Sequence, residues 1–241
     1  MAATCSLSIA ELRERFPNFR VALLVVDGVE IPAAPPPAQV AWIAEVAAQA
    51  ASTLGQQELG SLPELKCWRD AYKAFGEKKT SYRSSVERLL KALQRGNGLP
   101  RVNAFVDAYN AISVRYRMPV GADDQDLVTP PLAFRIARPA DSFIALGDAT
   151  ATDDPPKPGE VVYADAAKCL CRRWNWYQDA RSAIRPSTRR AVLTIQSNCP
   201  ETAGQVAAAA EELCRRLRDA CGGRVAWAIA DAEGPEVTVT A

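Results

Sequence analysis

The spacing of apolar residues predicts a helical first half of the chain. Residues 19–31 hold an apolar run and a short apolar return across Asp27-Gly28, which predicts a β-hairpin, and the prolines at 32–37 predict a stiff extended connector. Apolar residues spaced three to four apart then predict four helices. These cover residues 38–54, residues 62–75, the segment between Ser84 and Gly96, and the segment that starts after Pro100.

The second half is richer in β-strand patterns. Short apolar runs predict strands within 132–137, 142–147, 160–165 and 168–176, with a loop over 147–159. The C-terminal part predicts a strand, a helix from Pro200 to Ala220, and two further strands. Helices first and a sheet afterwards indicate a mixed α/β fold rather than a regular βαβ series.

Composition excludes several kinds of chemistry. The chain of 241 residues contains no histidine, so Ser-His-Asp catalysis, Cys-His catalysis and histidine-ligated metals are not available to it. Its seven cysteines show no CxxC pair and are expected to be reduced thiols. No apolar run is long enough to span a bilayer and no secretory signal is recognisable, so we expect a cytoplasmic protein without a membrane partner. No cofactor or metal is expected.

Charge is unevenly distributed although the net charge is only +1. Basic residues dominate 77–101 and 168–190, and acidic residues dominate 121–160 between them. Two interpretations are open: solvated helix faces, or a surface that follows phosphates of a nucleic acid.

Three groups of residues could carry chemistry. On the fourth predicted helix, Asn103, Asp107 and Asn110 have the spacing of one polar stripe, which could hydrogen-bond neighbouring loops or recognise a small amphiphile. Asp123, Asp124 and Asp126 follow in a predicted loop that is either solvated or able to hold a cation or an α-amino group.

The third group lies within residues 171–178. In a strand, Arg173, Asn175 and Tyr177 would share one face, and Arg172, Trp174 and Trp176 the other. Interleaved arginine and tryptophan suit stacking on single-stranded nucleic acid, but alternate tryptophans also suit core packing. A thiol-based enzyme using Cys169 or Cys171 is a further interpretation.

Several sequence blocks together resemble a known family. YRSSVERLL (82–90), GLPRVNAFVDAYNAISVRY (98–116), PVGADD (119–124), PGEVVYAD (158–165) and RRWNW (172–176) resemble stand-alone proteins related to the B3/B4 domain of the phenylalanyl-tRNA synthetase beta subunit. The resemblance covers about residues 68–197. It implies a three-layer α/β architecture with a mixed sheet, in which residues 1–60 supply the hairpin, connector and first helix and residues 61–241 the B3/B4-like domain.

The resemblance also implies a function. In the synthetase, this domain hydrolyses wrongly charged aminoacyl-tRNA, by positioning water and substrate rather than through a strong base. We therefore expect binding of tRNA or of an aminoacyl-tRNA 3′ end, with deacylation as a possible activity but not that of a complete synthetase. The family's editing pocket includes a histidine, which this chain lacks. The alternative is a non-catalytic sensor of a free amino acid or a similar metabolite.

Residue roles follow from these expectations, while the oligomeric state is left open. The substrate pocket is expected to contain Asn103, Asp107, Asn110, Gly121, Arg173 and Asn175. The phosphates of RNA are expected to meet Arg83, Arg88, Arg101 and Arg172.

Overall fold

The structure is a computed structural model that describes residues 2–77, 82–147 and 149–241. Residues 78–81 of the first basic segment and Asp148 of the predicted loop lie outside the described residues. The helices of the described part are α1 (Pro37–Leu54), α2 (Pro63–Ala74), α3 (Ser85–Gln94), α4 (Ala104–Tyr116), α5 (Pro200–Ala203) and α6 (Val206–Cys221). The strands are β1 (Thr4–Ser8), β2 (Arg20–Asp27), β3 (Val120–Asp124), β4 (Leu132–Ile136), β5 (Val161–Ala164), β6 (Cys169–Arg172), β7 (Tyr177–Gln178), β8 (Arg190–Ser197), β9 (Arg224–Ala230) and β10 (Glu236–Thr240).

The strands form two sheets. The larger sheet has six strands in the order β10-β1-β4-β5-β6-β7, and it is mixed because β1 and β4 run parallel while the other neighbours are antiparallel. The smaller sheet has four antiparallel strands in the order β3-β8-β2-β9. Strands from both ends of the chain meet in these sheets, since β1 pairs with β10 and β2 pairs with β8 and β9.

The four-stranded sheet is the middle of three layers. Alternate residues of β2 point to opposite faces: Leu24 and Val26 pack with the helices, whereas Leu23 and Val25 pack against the six-stranded sheet. Burial on both faces explains why β2 is a continuous apolar run rather than an alternating one. The expected three-layer α/β fold with a mixed sheet is confirmed.

The predicted N-terminal hairpin is wrong. The chain turns at Gly28, whose φ is +75°, but residues 29–36 form no strand. The partners of β2 are β8 and β9, far along the chain. The returning segment is only three residues long before Pro32, and proline has no N–H to donate to a ladder.

The predicted helices match α1 to α4 and α6 closely, but three other local predictions need correction. Ser84 is the N-cap residue of α3, yet its hydroxyl makes no capping hydrogen bond, and Glu87 pairs with Arg69 instead of closing a capping box. The strand predicted over 168–176 ends at Arg172. The run 142–147 contributes only isolated bridges rather than a strand.

Candidate functional site

A cavity of about 310 Å³ lies where the edges of the two sheets meet. The edge strand β3 of the smaller sheet faces the edge strand β7 of the larger one, and Gln178 joins them by donating to the Ala122 carbonyl oxygen and to Oδ1 of Asp123. Helices α3 and α4 complete the wall. The lining residues are Ser85, Arg88, Tyr109, Asn110, Val120, Gly121, Ala122, Asp123, Leu146, Tyr163, Leu170, Cys171, Asn175, Trp176, Tyr177, Gln178, Thr194 and Gln196.

Asp123 is the ionisable group best placed for chemistry in this cavity. Its side chain is buried, and Oδ1 accepts hydrogen bonds from the Ser182 hydroxyl at 2.7 Å and from Gln178 at 3.1 Å. No described lysine or arginine forms an ion pair with it. Burial raises the pKa of the Asp123 carboxyl to about 7, and the two hydrogen bonds offset only part of that rise. A carboxylate with this pKa can accept a proton at neutral pH.

A chain of hydrogen bonds orients further polar side chains of the cavity wall, including two on β8, the strand that pairs with β3. The Tyr72 hydroxyl donates to Oδ1 of Asn175 at 2.9 Å, and Nδ2 of Asn175 donates to Oε1 of Gln196 at 3.1 Å. Gln196 in turn donates to Oγ1 of Thr194 at 3.1 Å. The Thr194 hydroxyl donates to no acceptor among the described residues, so it is able to donate a hydrogen bond to a bound ligand.

The Tyr163 hydroxyl is a second donor without an acceptor among the described residues. It is buried in the cavity wall and has no hydrogen-bond partner in the described part of the chain. Burial raises the pKa of Tyr163 well above its usual value, so the hydroxyl keeps its proton. A buried unpaired hydroxyl costs roughly 1–3 kcal/mol. A ligand or a water in the cavity would remove this cost.

The mouth of the cavity carries a positive charge. Arg88 is exposed on α3, where Nη1 donates to the Trp176 carbonyl oxygen at 3.0 Å and the guanidinium lies 4.1 Å from the centroid of the Tyr177 ring. Ser85, Arg88 and Asn110 also line a shallow groove beside the cavity, which continues past Asn97. The cavity and the groove are therefore one continuous surface.

The structure brings some of the predicted site residues together. Asn110, Gly121 and Asn175 line the cavity, and Arg88 stands at its mouth. Arg83 does not line the cavity and forms an ion pair with Glu87, with 3.0 Å between Nε and the carboxylate.

Three other predicted residues lie together at the start of α4, outside the cavity lining. Asn103 is the N-cap residue and accepts a hydrogen bond from the Val106 N–H at 2.9 Å. Asp107 accepts one hydrogen bond from the Val102 N–H and one from Nε of Arg101, both at 2.8 Å. Asn103 thus caps α4, and Asp107 binds the segment directly before the helix, so these two residues do not form a polar stripe with Asn110.

The prediction that Arg173, Asn175 and Tyr177 share one strand face is wrong. Arg173 and Trp174 have φ angles of +46° and +67°, so the chain turns directly after β6. Trp174 enters the core and contacts Phe16 edge-on, with 4.6 Å between the ring centroids.

Both arginines of this turn are buried among acidic or aromatic groups. Arg172 holds Glu160 with two hydrogen bonds of 2.9 and 3.0 Å. Arg173 pairs with Glu77 at 2.9 Å, and its guanidinium lies 4.4 Å from the Trp176 ring centroid. Arg172 is 1% exposed, so its present position offers no surface to a phosphate.

The acidic segment after α4 is also arranged differently from the expected loop. Asp123 and Asp124 belong to β3, and Asp124 accepts a hydrogen bond from the Thr188 hydroxyl at 2.6 Å. Asp126 pairs with Arg190. The three carboxylates have separate partners and share no common centre.

The cavity thiol is a poor nucleophile. Burial raises the pKa values of both Cys169 and Cys171 well above the usual thiol value, which disfavours the thiolate at neutral pH.

Sequence reasoning missed most of the polar cavity wall. Tyr163, Gln178, Thr194 and Gln196 were not singled out, and Asp123 was considered only as part of an acidic loop. One signal was present: Thr194 and Gln196 are polar residues two apart within the apolar strand β8, and such residues share a face.

No curated protein sequence matches the chain significantly. A solved structure with a similar arrangement is an N-terminal fragment of the phenylalanyl-tRNA synthetase beta subunit from Pyrococcus horikoshii, with 11% identity and a TM-score of 0.48 over 91% of this chain. The chain spans 49% of that fragment.

None of the helices in the described residues has both the length and the apolar character that a membrane crossing requires.

Residues 67–221 match the B3/4 domain family. Because this match covers more than half of the chain, the protein belongs to the B3/4 domain family.

Proposed function

We propose that the protein binds the aminoacylated 3′ end of a tRNA and hydrolyses its ester bond. The amino acid occupies the cavity and the terminal nucleotide lies in the groove along α3. The observation that carries the proposal is Asp123, a buried carboxyl on the cavity wall with a pKa near 7 and no ion-pair partner among the described residues.

Asp123 takes the role that histidine has in many hydrolases. The hydrogen bonds from described residues reach only Oδ1, so Oδ2 is left to accept a proton from water. As the water oxygen attacks the ester carbonyl, one of its protons moves to Asp123. The carbon–oxygen bond to the ribose then breaks, and the ribose oxygen takes that proton back from Asp123, which restores the carboxylate. The products are a free amino acid and a tRNA with a free hydroxyl. General-base catalysis of this kind contributes about 10²–10⁴-fold.

Two hydroxyl groups of the cavity wall are donors for the substrate, Thr194 on the strand next to Asp123 and Tyr163 on the larger sheet. The hydroxyl groups of Thr194 and Tyr163 lack acceptors among the described residues and can donate to the amino-acid moiety or to the carbonyl oxygen as its charge develops. The remaining wall is partly apolar, with Val120, Leu146 and Leu170, and suits an amino-acid side chain.

The position of Arg88 favours an RNA substrate over a free metabolite. A sensor of a free amino acid would need only a closed polar pocket remote from the basic segments. Here Arg88, from the first basic segment, lines both the cavity and the groove. A cation at this junction can meet the phosphate of the terminal nucleotide.

The test is release of amino acid from a panel of correctly charged and mischarged tRNAs. We expect the wild-type protein to deacylate a subset of them and the Asp123→Asn variant to lose this activity. Asp107→Asn is the matched control, because Asp107 is equally buried but lies outside the cavity lining. Tight tRNA binding without release would contradict hydrolysis, and binding of free amino acids without tRNA binding would establish the sensor alternative.

A further inference from the structure

A second cluster of reactive side chains lies outside the cavity. Cys67 of α2, Cys199 at the start of α5 and Glu201 in α5 bring two sulfur atoms and a carboxylate oxygen within 4.8 Å of one another. Sγ of Cys199 lies 2.7 Å from a carboxylate oxygen of Glu201. Cys67 is half-buried, Cys199 is buried and Glu201 is exposed, so the cluster can be reached from solvent on one side.

The spacing of these atoms suits a tetrahedral cation. Zinc binds thiolate sulfur at about 2.3 Å and carboxylate oxygen at about 2.0–2.2 Å. Two sulfur ligands of one tetrahedral zinc are then roughly 3.8 Å apart. The three donor atoms already lie within 4.8 Å of one another, which is close to this separation. Two sulfur donors select a soft or borderline cation over Mg²⁺ or Ca²⁺, which prefer oxygen.

We propose that Cys67, Cys199 and Glu201 bind a thiophilic divalent cation, with Zn²⁺ as the best match. Both thiols release their protons to solvent as they bind the metal, and no oxidant or reductant is needed. Three protein ligands leave the fourth position to water, on the side where Glu201 is exposed.

The proposed site connects the elements that support the cavity. Cys67 lies on α2, which also carries Tyr72, the donor to Asn175 in the cavity wall. Cys199 follows directly on β8, which carries Thr194 and Gln196. A cation shared by Cys67 and Cys199 therefore fixes α2 against the end of β8. Because only the folded chain brings Cys67 next to Cys199 and Glu201, binding stabilises the folded state.

The test uses the full-length protein kept in a non-thiol reductant, so that a Cys67–Cys199 disulfide cannot form. Titration with Co²⁺ reports thiolate ligands through sulfur-to-metal charge-transfer absorption, and competition with a chromophoric chelator gives the affinity for Zn²⁺. We expect one cation per chain, strong charge-transfer absorption, and a melting temperature that rises with Zn²⁺.

The variants separate binding at this site from binding elsewhere. Cys67→Ser and Cys199→Ser each remove one of the two thiolates and should lose at least about half of the charge-transfer absorption, and Glu201→Gln should raise the Kd at least about tenfold. Glu201→Gln changes an exposed side chain, so it tests the site even where a cysteine variant fails to fold. Cys221→Ser, a buried cysteine at the end of α6, should bind like the wild type. Absence of the band in the wild type, or an unchanged band in Cys67→Ser, would overturn the proposal.

Discussion

The start of α4 and the cavity each contain a buried aspartate, and the two regions treat the same side chain in opposite ways. Asp107 and Asp123 are both 3% exposed. Asp107 meets a guanidinium and a backbone N–H at a helix N-terminus, where negative charge is favoured. Asp123 meets only a hydroxyl and an amide, and its pKa rises to about 7. Burial alone therefore does not identify a functional carboxylate; the charge of its partners does.

The two aspartates also differ in their effect on stability: the contacts of Asp107 stabilise the fold, whereas ionisation of Asp123 destabilises it. The contacts of Asp107 satisfy donors that the fold would otherwise leave unpaired, which is a structural role. Burial of Asp123 opposes its ionisation, and no described lysine or arginine forms an ion pair with it, so the folded protein is less stable whenever this carboxyl is charged. Such a cost is typical of sites where a group is held ready for chemistry.

The largest expected effect is on hydrolysis of aminoacyl-tRNA. Asp123→Asn removes the proton acceptor and should lower the deacylation rate by about 10²–10⁴-fold, whereas Asp107→Asn should remain close to the wild-type rate. Single-turnover release of a labelled amino acid measures both variants, with circular dichroism as the check on folding. A comparable loss in both variants would remove the distinction between the two carboxylates.

The next effect concerns stability as a function of pH. The pKa of Asp123 is higher in the folded protein, so its contribution to stability is fully present below about pH 4 and is lost as the pH rises through about 7. Asp123→Asn should therefore be more stable than the wild type at pH 8, by up to about 4 kcal/mol, and the gain should approach zero near pH 4. Urea unfolding at both pH values measures this. An equal effect at the two pH values would contradict the raised pKa.

At the start of α4, substitution of the aspartate is expected to change the free energy of unfolding less, and in the opposite direction. Asp107→Asn loses the ion pair with Arg101 and weakens the cap on the Val102 N–H, which should destabilise the protein by about 1–2 kcal/mol. Urea unfolding at pH 7 measures it. Stabilisation by this variant would show that the buried Asp107 carboxylate also destabilises the folded protein, and would contradict its structural role.

The smallest effect is expected at the mouth of the cavity. Arg88→Ala should weaken tRNA binding several-fold and reduce the salt dependence of binding by about one counterion. Filter binding or fluorescence anisotropy at several salt concentrations measures both quantities. Arg13→Ala, an exposed arginine outside the cavity lining, is the control and should leave both unchanged.

Much of the fold could be predicted because its elements are marked locally. The helices α1 to α4 each carry apolar residues at helical spacing, and the strand–helix–strand–strand order of the C-terminal part follows from its pattern and glycines. The hairpin prediction failed because strand partners are chosen by long-range packing. β2 is apolar on both faces, and its true neighbours lie at the other end of the chain.

The site was harder to predict because it is assembled across two sheets. Asp123 gains its environment from Gln178 and Ser182, which no local pattern connects to it. The placement of Asn103 and Asp107 was within reach of the sequence, since asparagine favours the N-cap and an acidic residue favours the first turn. The sequence prediction starts this helix after Pro100 and so puts Asn103 within it, whereas Asn103 is the N-cap residue directly before α4.

The most direct test of the central claim is titration of the Asp123 carboxyl group by ¹³C NMR, with Asp123→Asn used to assign its resonance. The resonance lost in Asp123→Asn should titrate near pH 7, as burial without an ionic partner requires. Titration of that resonance near pH 4 would show that Asp123 is an ordinary ionised carboxylate and would contradict its assignment as the proton acceptor.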